Sequence, residues 1–163
     1  MRTAIYPGTF DPITYGHIDV IKKSLKIFDR VVIAAAENIS KDYLFSVEER
    51  IDIIKNSLIK DLKMNSKKIP IISFNTLTVN LCKKYKAEVI VRGLRAVSDF
   101  EYEFQLAGMN KKLNDKIETI FLMSDVENQI ISSKFVKEIA KLNGNINKFL
   151  TKSVVKKLKN KLE

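Results

Sequence analysis

One cysteine, one histidine, three prolines, five glycines and no tryptophan are spread over 163 residues, and each scarcity removes a class of explanation. A lone cysteine, Cys82, excludes an internal disulfide and suits a reducing compartment, so a cytoplasmic location is expected. Beside Leu81 it reads as a small buried hydrophobe rather than a nucleophile. One histidine and one cysteine cannot assemble a zinc centre, and no protein-ligated metal is expected. No apolar run reaches the ~20 residues that a bilayer-crossing helix needs. The start, Met1-Arg2-Thr3-Ala4-Ile5-Tyr6-Pro7, lacks the apolar centre of a signal peptide, and no membrane partner is expected. The few glycines form neither the dinucleotide fingerprint nor a Gly-x-x-x-x-Gly-Lys loop. No Ser-His-Asp or Cys-His nucleophile set is evident either.

What is abundant is lysine. The net charge is +10, and two stretches carry nearly all of it. Residues 145–163 hold six lysines against Glu163, and residues 55–68 hold five against Asp61. Neither interleaves the aromatic residues that single-strand binders stack on bases. Val155, Leu158 and Leu162 instead give the last segment one apolar helical face. Both stretches read as solvated faces, and no nucleic-acid partner is expected.

Strand-like and helix-like segments alternate along the chain. Apolar runs at 2–6, 30–35, 69–74, 88–91 and 119–123 read as strands, with helical patterns near 17–28, 46–62, 77–86 and 98–113 between them. Ser46 with Glu49, and Ser98 with Glu101, match capping boxes. The inner strands show no polar alternation, as expected of strands covered on both faces. Such repeats predict a parallel sheet with right-handed crossovers. Helices near 132–143 and 151–162 follow the last strand. The fold expected over residues 1–163 is a single doubly wound α/β domain with a five-stranded parallel sheet and C-terminal helices. Ligands bind such sheets beyond the carboxyl ends of the strands. The segments expected there are 7–17, 36–45, 73–78, 92–97 and 123–133.

The residues at that edge suit anions. Thr9-Phe10-Asp11-Pro12-Ile13-Thr14-Tyr15-Gly16-His17 links the first strand to a helix that opens at a Gly-His pair. A helix start presents free N–H groups and a positive dipole end. His17 adds a donor able to carry positive charge near pH 7. Arg92-Gly93-Leu94-Arg95 is expected just after the fourth strand, offering two guanidinium forks to phosphate oxygens or to Asp99, Glu101 and Glu103. Ser132 and Ser133 open a later helix, with Lys134 and Lys137 beside them. Lys41, in the loop expected after the second strand, is a further candidate anion contact, the alternative being a solvated lysine. An anion-lined cleft with one histidine favours phosphoryl or nucleotidyl transfer, where catalysis is mostly positioning and charge stabilisation.

Thr14-Tyr15-Gly16-His17 resembles the T/H-x-G-H signature of the nucleotidyltransferase superfamily, and Ile131-Ser132-Ser133 resembles its later Ile-Ser-Ser signature. The longer strings Tyr6–Pro12 and Arg92–Glu103 closely resemble the bacterial phosphopantetheine adenylyltransferases, and the likeness runs in order to about residue 150. The resemblance implies a Rossmann-like nucleotidyltransferase fold and transfer of AMP from ATP to 4′-phosphopantetheine. The products would be dephospho-coenzyme A and pyrophosphate, with Mg²⁺ carried mainly on the ATP phosphates. It places Thr9, Lys41, Thr78 and Arg92 on phosphopantetheine. It places Thr9, Phe10, His17, Gly93, Leu94, Arg95, Glu103 and the run Asn128, Gln129, Ile130, Ile131, Ser132, Ser133 and Lys134 on ATP. His17 would stabilise the transition state at the α-phosphate. Two positions depart from the family pattern: Asn128 stands where an aromatic is common, and Lys134 where a small hydroxyl residue is.

The helix near 98–113 carries two opposed apolar stripes, Tyr102, Leu106, Met109, Leu113 and Phe100, Phe104, Ala107. A surface helix needs only one, so the second is expected to pack on another subunit. That agrees with the homohexamer the resemblance implies, and coenzyme A is a separate candidate partner as a feedback ligand. The alternatives are a helix buried by the C-terminal helices of its own subunit, another small-molecule nucleotidyltransferase on the same scaffold (a cytidylyltransferase or a nicotinate-nucleotide adenylyltransferase), and a basic nucleic-acid-binding protein with a steep salt dependence.

Overall fold

The computed structural model describes residues 1–37, 42–95 and 97–163. Its centre is a five-stranded, all-parallel sheet of β1 (Thr3–Gly8), β2 (Arg30–Ala36), β3 (Ile71–Phe74), β4 (Val89–Leu94) and β5 (Glu118–Met123), in the order β3-β2-β1-β4-β5. The helices are α1 (Tyr15–Ile27), α2 (Val47–Lys55), α3 (Thr78–Tyr85), α4 (Val97–Leu113), α5 (Val126–Gln129), α6 (Ser133–Lys141) and α7 (Lys152–Leu162). A π-helical extension, Asn56–Asp61, continues α2. The architecture is the expected doubly wound α/β fold.

The apolar strands explain the two layers. Side chains alternate across a pleated strand, so Ala4, Tyr6, Val31, Ile33 and Ala35 face one core together with Ile18 and Ile21 of α1 and Leu158 of α7. Ile5, Val32, Ala34 and Ile90 face the other, with Val79, Leu81 and Cys82 of α3. Cys82 is buried, and that burial raises its thiol pKa to about 11. At the end of the sheet, β5 is half open.

Local signals set several boundaries. Ser46 Oγ accepts the Glu49 N–H at 3.2 Å, and Glu49 Oε2 accepts the Ser46 N–H at 2.8 Å. This is the box the spacing predicts. At α4 the spacing misleads by two residues, because a Ser98 cap would start the helix at 99, whereas the helix opens at Val97 and Ser98 stands inside its first turn. β3 starts at Ile71 rather than 69, since Pro70 has no N–H to give a ladder. β4 runs on to Leu94, so Arg92, Gly93 and Leu94 belong to the strand rather than following it.

Two expectations about surfaces can be compared with this arrangement. α7 buries Val154 and Leu158 and leaves its lysines outward, two of them paired as Lys157–Asp52 at 3.3 Å and Lys161–Glu49 at 2.7 Å. α4 packs on α3, β4 and β5, while Phe100, Tyr102, Phe104, Met109 and Leu113 stay exposed. Its apolar stripes are not covered by the C-terminal helices. Among the described residues, no helix is long and apolar enough to cross a membrane.

The chain lays β1, β2 and β3 outward, then returns to the far side of β1 for β4 and β5. The reversal leaves a crevice beyond the carboxyl ends of β1 and β4, where open α/β sheets bind ligands.

Candidate active site

The corner between β1 and α1 is built on Phe10. This residue holds a left-handed φ of 51°, a conformation costly for any residue but glycine. Its ring is buried and stands edge-on to Tyr6 at 5.5 Å and to His17 at 5.1 Å. A β-carbon on Gly8 would fall 2.8 Å from that ring, so glycine is required for the loop to fold over it. Phe10 thus forms the floor on which His17 rests.

Thr14 is the N-cap of α1 and His17 is the third residue of the helix. His17 Nδ1 accepts the Thr14 N–H at 3.0 Å, and the Thr14 hydroxyl lies 3.0 Å from the same nitrogen. An amide can only donate, so Nδ1 is unprotonated and the ring proton sits on Nε2. Burial first, then the charges of Arg95 and Arg92, lower the imidazole pKa to about 4. His17 is therefore a neutral Nε2–H donor at neutral pH. The positive charge expected of it from the sequence is opposed by desolvation, by two neighbouring guanidinium groups and by the Thr14 amide.

The arginines satisfy both readings of their motif. Arg92 Nε and Nη2 donate to the two oxygens of Glu103 at 2.7 and 2.6 Å, and Nη1 donates to the Pro7 carbonyl at 2.8 Å. Burial alone would lower its pKa, but the Glu103 carboxylate more than reverses this and the net shift is upward. Arg95 pairs with Asp99 at 3.1 Å. Tyr6, buried beside them, has its phenol pKa raised by that burial, with Arg92 opposing.

The far wall is the start of α6. Ser132 Oγ caps the helix by accepting the Phe135 N–H at 3.1 Å. Ser133 Oγ donates to the Pro12 carbonyl at 2.8 Å, tying α6 to the first loop. Gly16 makes the approach possible, since a β-carbon there would lie 3.2 Å from the Asn128 carbonyl and 3.4 Å from that of Ile131.

These walls enclose a cleft of about 350 Å³ lined by Thr9, His17, Arg92, Gly93, Arg95, Glu103 and the run Ile131–Lys134. A second cavity of about 260 Å³ shares Thr9, His17 and Ser133 with it and is also lined by Phe10 and Tyr43. Leu94, Asn128, Gln129 and Ile130 lie outside both linings, as does Thr78, the first residue of α3. Lys41 lies outside the described residues.

Several lining residues were not singled out from the sequence as ligand contacts: Tyr6, Thr14 and Ser124 in the larger cleft and Asp11 in the smaller, where Lys137 of the anion-suited α6 segment also stands. Asp11 is buried and accepts the N–H groups of Leu44 and Phe45, each at 3.0 Å, and the Lys137 ammonium at 2.8 Å. Its one sequence signal is an acid standing in a loop otherwise suited to anions.

Residues 5–139 match the cytidylyltransferase-like family. A protein named phosphopantetheine adenylyltransferase in Pelagibacter ubique is 67% identical over 99% of both chains. The chain belongs to the phosphopantetheine adenylyltransferase family. A namesake in Sphingopyxis alaskensis is 51% identical over 96% of this chain and 90% of its own. One in the Wolbachia of Brugia malayi is 50% identical over 98% and 93%. Like them, this member of the family is an enzyme, a nucleotidyltransferase. A crystal structure from Vibrio parahaemolyticus, provisionally named a nicotinate-nucleotide adenylyltransferase, superposes with a TM-score of 0.73 over 100% of this chain and 97% of its own. At 18% identity it shares the fold. The family's relatives point away from a pyridine-nucleotide or cytidylyl enzyme.

Proposed function

We propose that the enzyme transfers AMP from ATP to 4′-phosphopantetheine in the cleft at the β1/β4 crevice, in the route to coenzyme A. The observation that carries this is the meeting of a neutral histidine donor, two arginines and a helix N-terminus around one cavity. An oxygen of the acceptor phosphate attacks the α-phosphorus of ATP. The new P–O bond forms as the bond to the bridging oxygen of pyrophosphate breaks, and dephospho-coenzyme A remains. The attacking group is already an anion, so no general base is needed. His17 donates Nε2–H to a non-bridging α-phosphate oxygen, and Arg92 and Arg95 lower the repulsion between the substrates. Thr9 and Arg92, with Lys41 and Thr78, serve phosphopantetheine. Thr9, Phe10, Gly93, Leu94, Arg95 and Glu103, with residues 128–134, serve ATP. Alignment of two bound reactants is worth roughly 7–11 kcal/mol in favourable cases.

Among the described residues, no cluster of three or more His, Cys, Asp or Glu could hold a metal ion, and Glu103 and Asp99 are already engaged by arginines. Mg²⁺ fits this site as a companion of the ATP phosphates, whose charge it would partly neutralise. The exposed stripes of α4 support self-association, read as a homohexamer in the cytoplasm, with coenzyme A as a candidate feedback ligand. A sedimentation experiment showing only the 18.7 kDa chain would remove that assembly.

Pyrophosphate release with phosphopantetheine offered beside other phosphorylated acceptors tests the activity. Turnover should be confined to phosphopantetheine, and turnover of a pyridine mononucleotide instead would overturn the reading. His17→Ala should lower kcat by roughly 10²–10³ while ATP affinity changes little.

A further inference from the structure

Arg50, in the first turn of α2, is 1% exposed, among the most buried large side chains of the protein. Its Nη1 donates to the Thr9 carbonyl at 2.7 Å and to the Ala36 carbonyl at 2.9 Å. The guanidinium lies 4.2 Å from the centre of the Tyr43 ring, and Nε has no partner. No carboxylate pairs with it among the described residues.

We propose that Arg50 is a positioning residue for the transfer step, holding the Thr9 peptide at the junction of the two cavities and placing a fixed positive charge beneath it. This rests on the adenylyl-transfer reading above. Thr9 and His17 line both cavities, so the atoms exchanged between two bound substrates must meet near them. A trans peptide sets its C=O and N–H in opposite directions. Gripping the Thr9 carbonyl from below therefore also fixes the direction of the Phe10 N–H. The Ala36 carbonyl ties the same guanidinium to the end of β2, so the two strand ends move as one.

A purely structural task would not need the charge. A neutral amide can bridge two carbonyls with less desolvation than a buried guanidinium lacking a carboxylate. The face of Tyr43 supplies part of what burial removes. A charge retained there acts on the anions that converge on Thr9 and His17, where fixed dipoles and charges act with little screening.

The test is steady-state kinetics of Arg50→Gln, Arg50→Lys and Tyr43→Leu beside the wild type, with ATP and phosphopantetheine varied separately and folding checked by thermal melting. Arg50→Gln, whose amide can still bridge two carbonyls but carries no charge, should lower kcat roughly 100-fold, with either KM changing less than about threefold. Arg50→Lys, keeping the charge but not the planar fork, should recover about tenfold of that loss. Tyr43→Leu should lower kcat about tenfold with Arg50 still present. A folded Arg50→Gln protein with kcat within about threefold of wild type, or a loss confined to KM, overturns the proposal. If Arg50→Gln does not fold, an unchanged kcat in Tyr43→Leu overturns it instead. A wild type inert toward phosphopantetheine removes the underlying reading and this proposal with it.

Discussion

Arg92 and Arg95 stand three positions apart at the end of β4, yet the protein treats them as different kinds of residue. Arg92 has a side chain 21% exposed, spends two N–H groups on Glu103 and a third on the Pro7 carbonyl. Its position is fixed before any ligand arrives. Arg95 is 41% exposed and, from just before α4, holds Asp99 in the first turn of that helix at 3.1 and 3.4 Å. It can leave its partner at small cost. One arginine is part of the wall, the other a hand inside it. The same residue type thus supplies one charge fixed in advance and one that can move, separated by the burial of the carboxylate partner and by the Pro7 carbonyl that only Arg92 holds.

Breaking each pair should expose that difference. Glu103→Ala would leave the Arg92 charge in a half-buried wall without its bidentate partner, and stability should fall by about 3 kcal/mol in urea unfolding. A loss near zero would mean that Arg92 is as free as Arg95.

The next effect runs through His17, whose pKa both arginines depress. The folded midpoint of about 4 lies below the ordinary value of 6.5, so the unfolded chain binds more protons between these limits. The stability from neutral His17 is complete above pH 6.5, declines as pH falls toward 4, and changes no further below that. Because the ring edge meets solvent in the cleft, the span should be about 2 kcal/mol, read from unfolding free energies across that window. The chain has one histidine, so its NMR titration needs no assignment. Arg95→Gln should move the midpoint upward, and a wild-type midpoint near 6.5 would break the argument. The smallest effect belongs to Asp99→Ala. Its exposed pair should cost less than about 0.5 kcal/mol, and a larger loss would make Arg95 a second wall.

Much of this was legible in the sequence because it is local. Apolar runs marked every strand, and the Gly16-His17 corner and the Ser132-Ser133 turn announced the edge that binds ligands. What escaped depends on partners distant in sequence. Nothing near Arg50 says that it reaches back to Thr9, and nothing near Asp11 names Lys137. The protonation of His17 was misread for a related reason. Its charge is decided first by burial in the folded cleft and then by Arg95 and Arg92 at the end of β4, while the local Thr14 amide fixes which ring nitrogen stays bare. α5, four residues long, and the π-helical turn after Lys55 lie below what side-chain periodicity resolves. The extent of β4 was missed because Arg92 is polar, although its guanidinium leaves the sheet plane to meet Glu103.

The first corner of the cleft is fastened by residues from the opposite end of the chain. Asp11 grips Lys137, Ser133 holds the Pro12 carbonyl, and the Tyr15 N–H donates to the Phe149 carbonyl at 3.0 Å. During synthesis the N-terminal part of a chain emerges first. The loop that will carry His17 therefore leaves the ribosome long before the segments that clamp it. A truncated product ending before residue 133 would have its sheet strands but not its catalytic geometry, so a prematurely released chain should be inert toward ATP. The corner that carries His17 can be fastened only after Phe149 has been made.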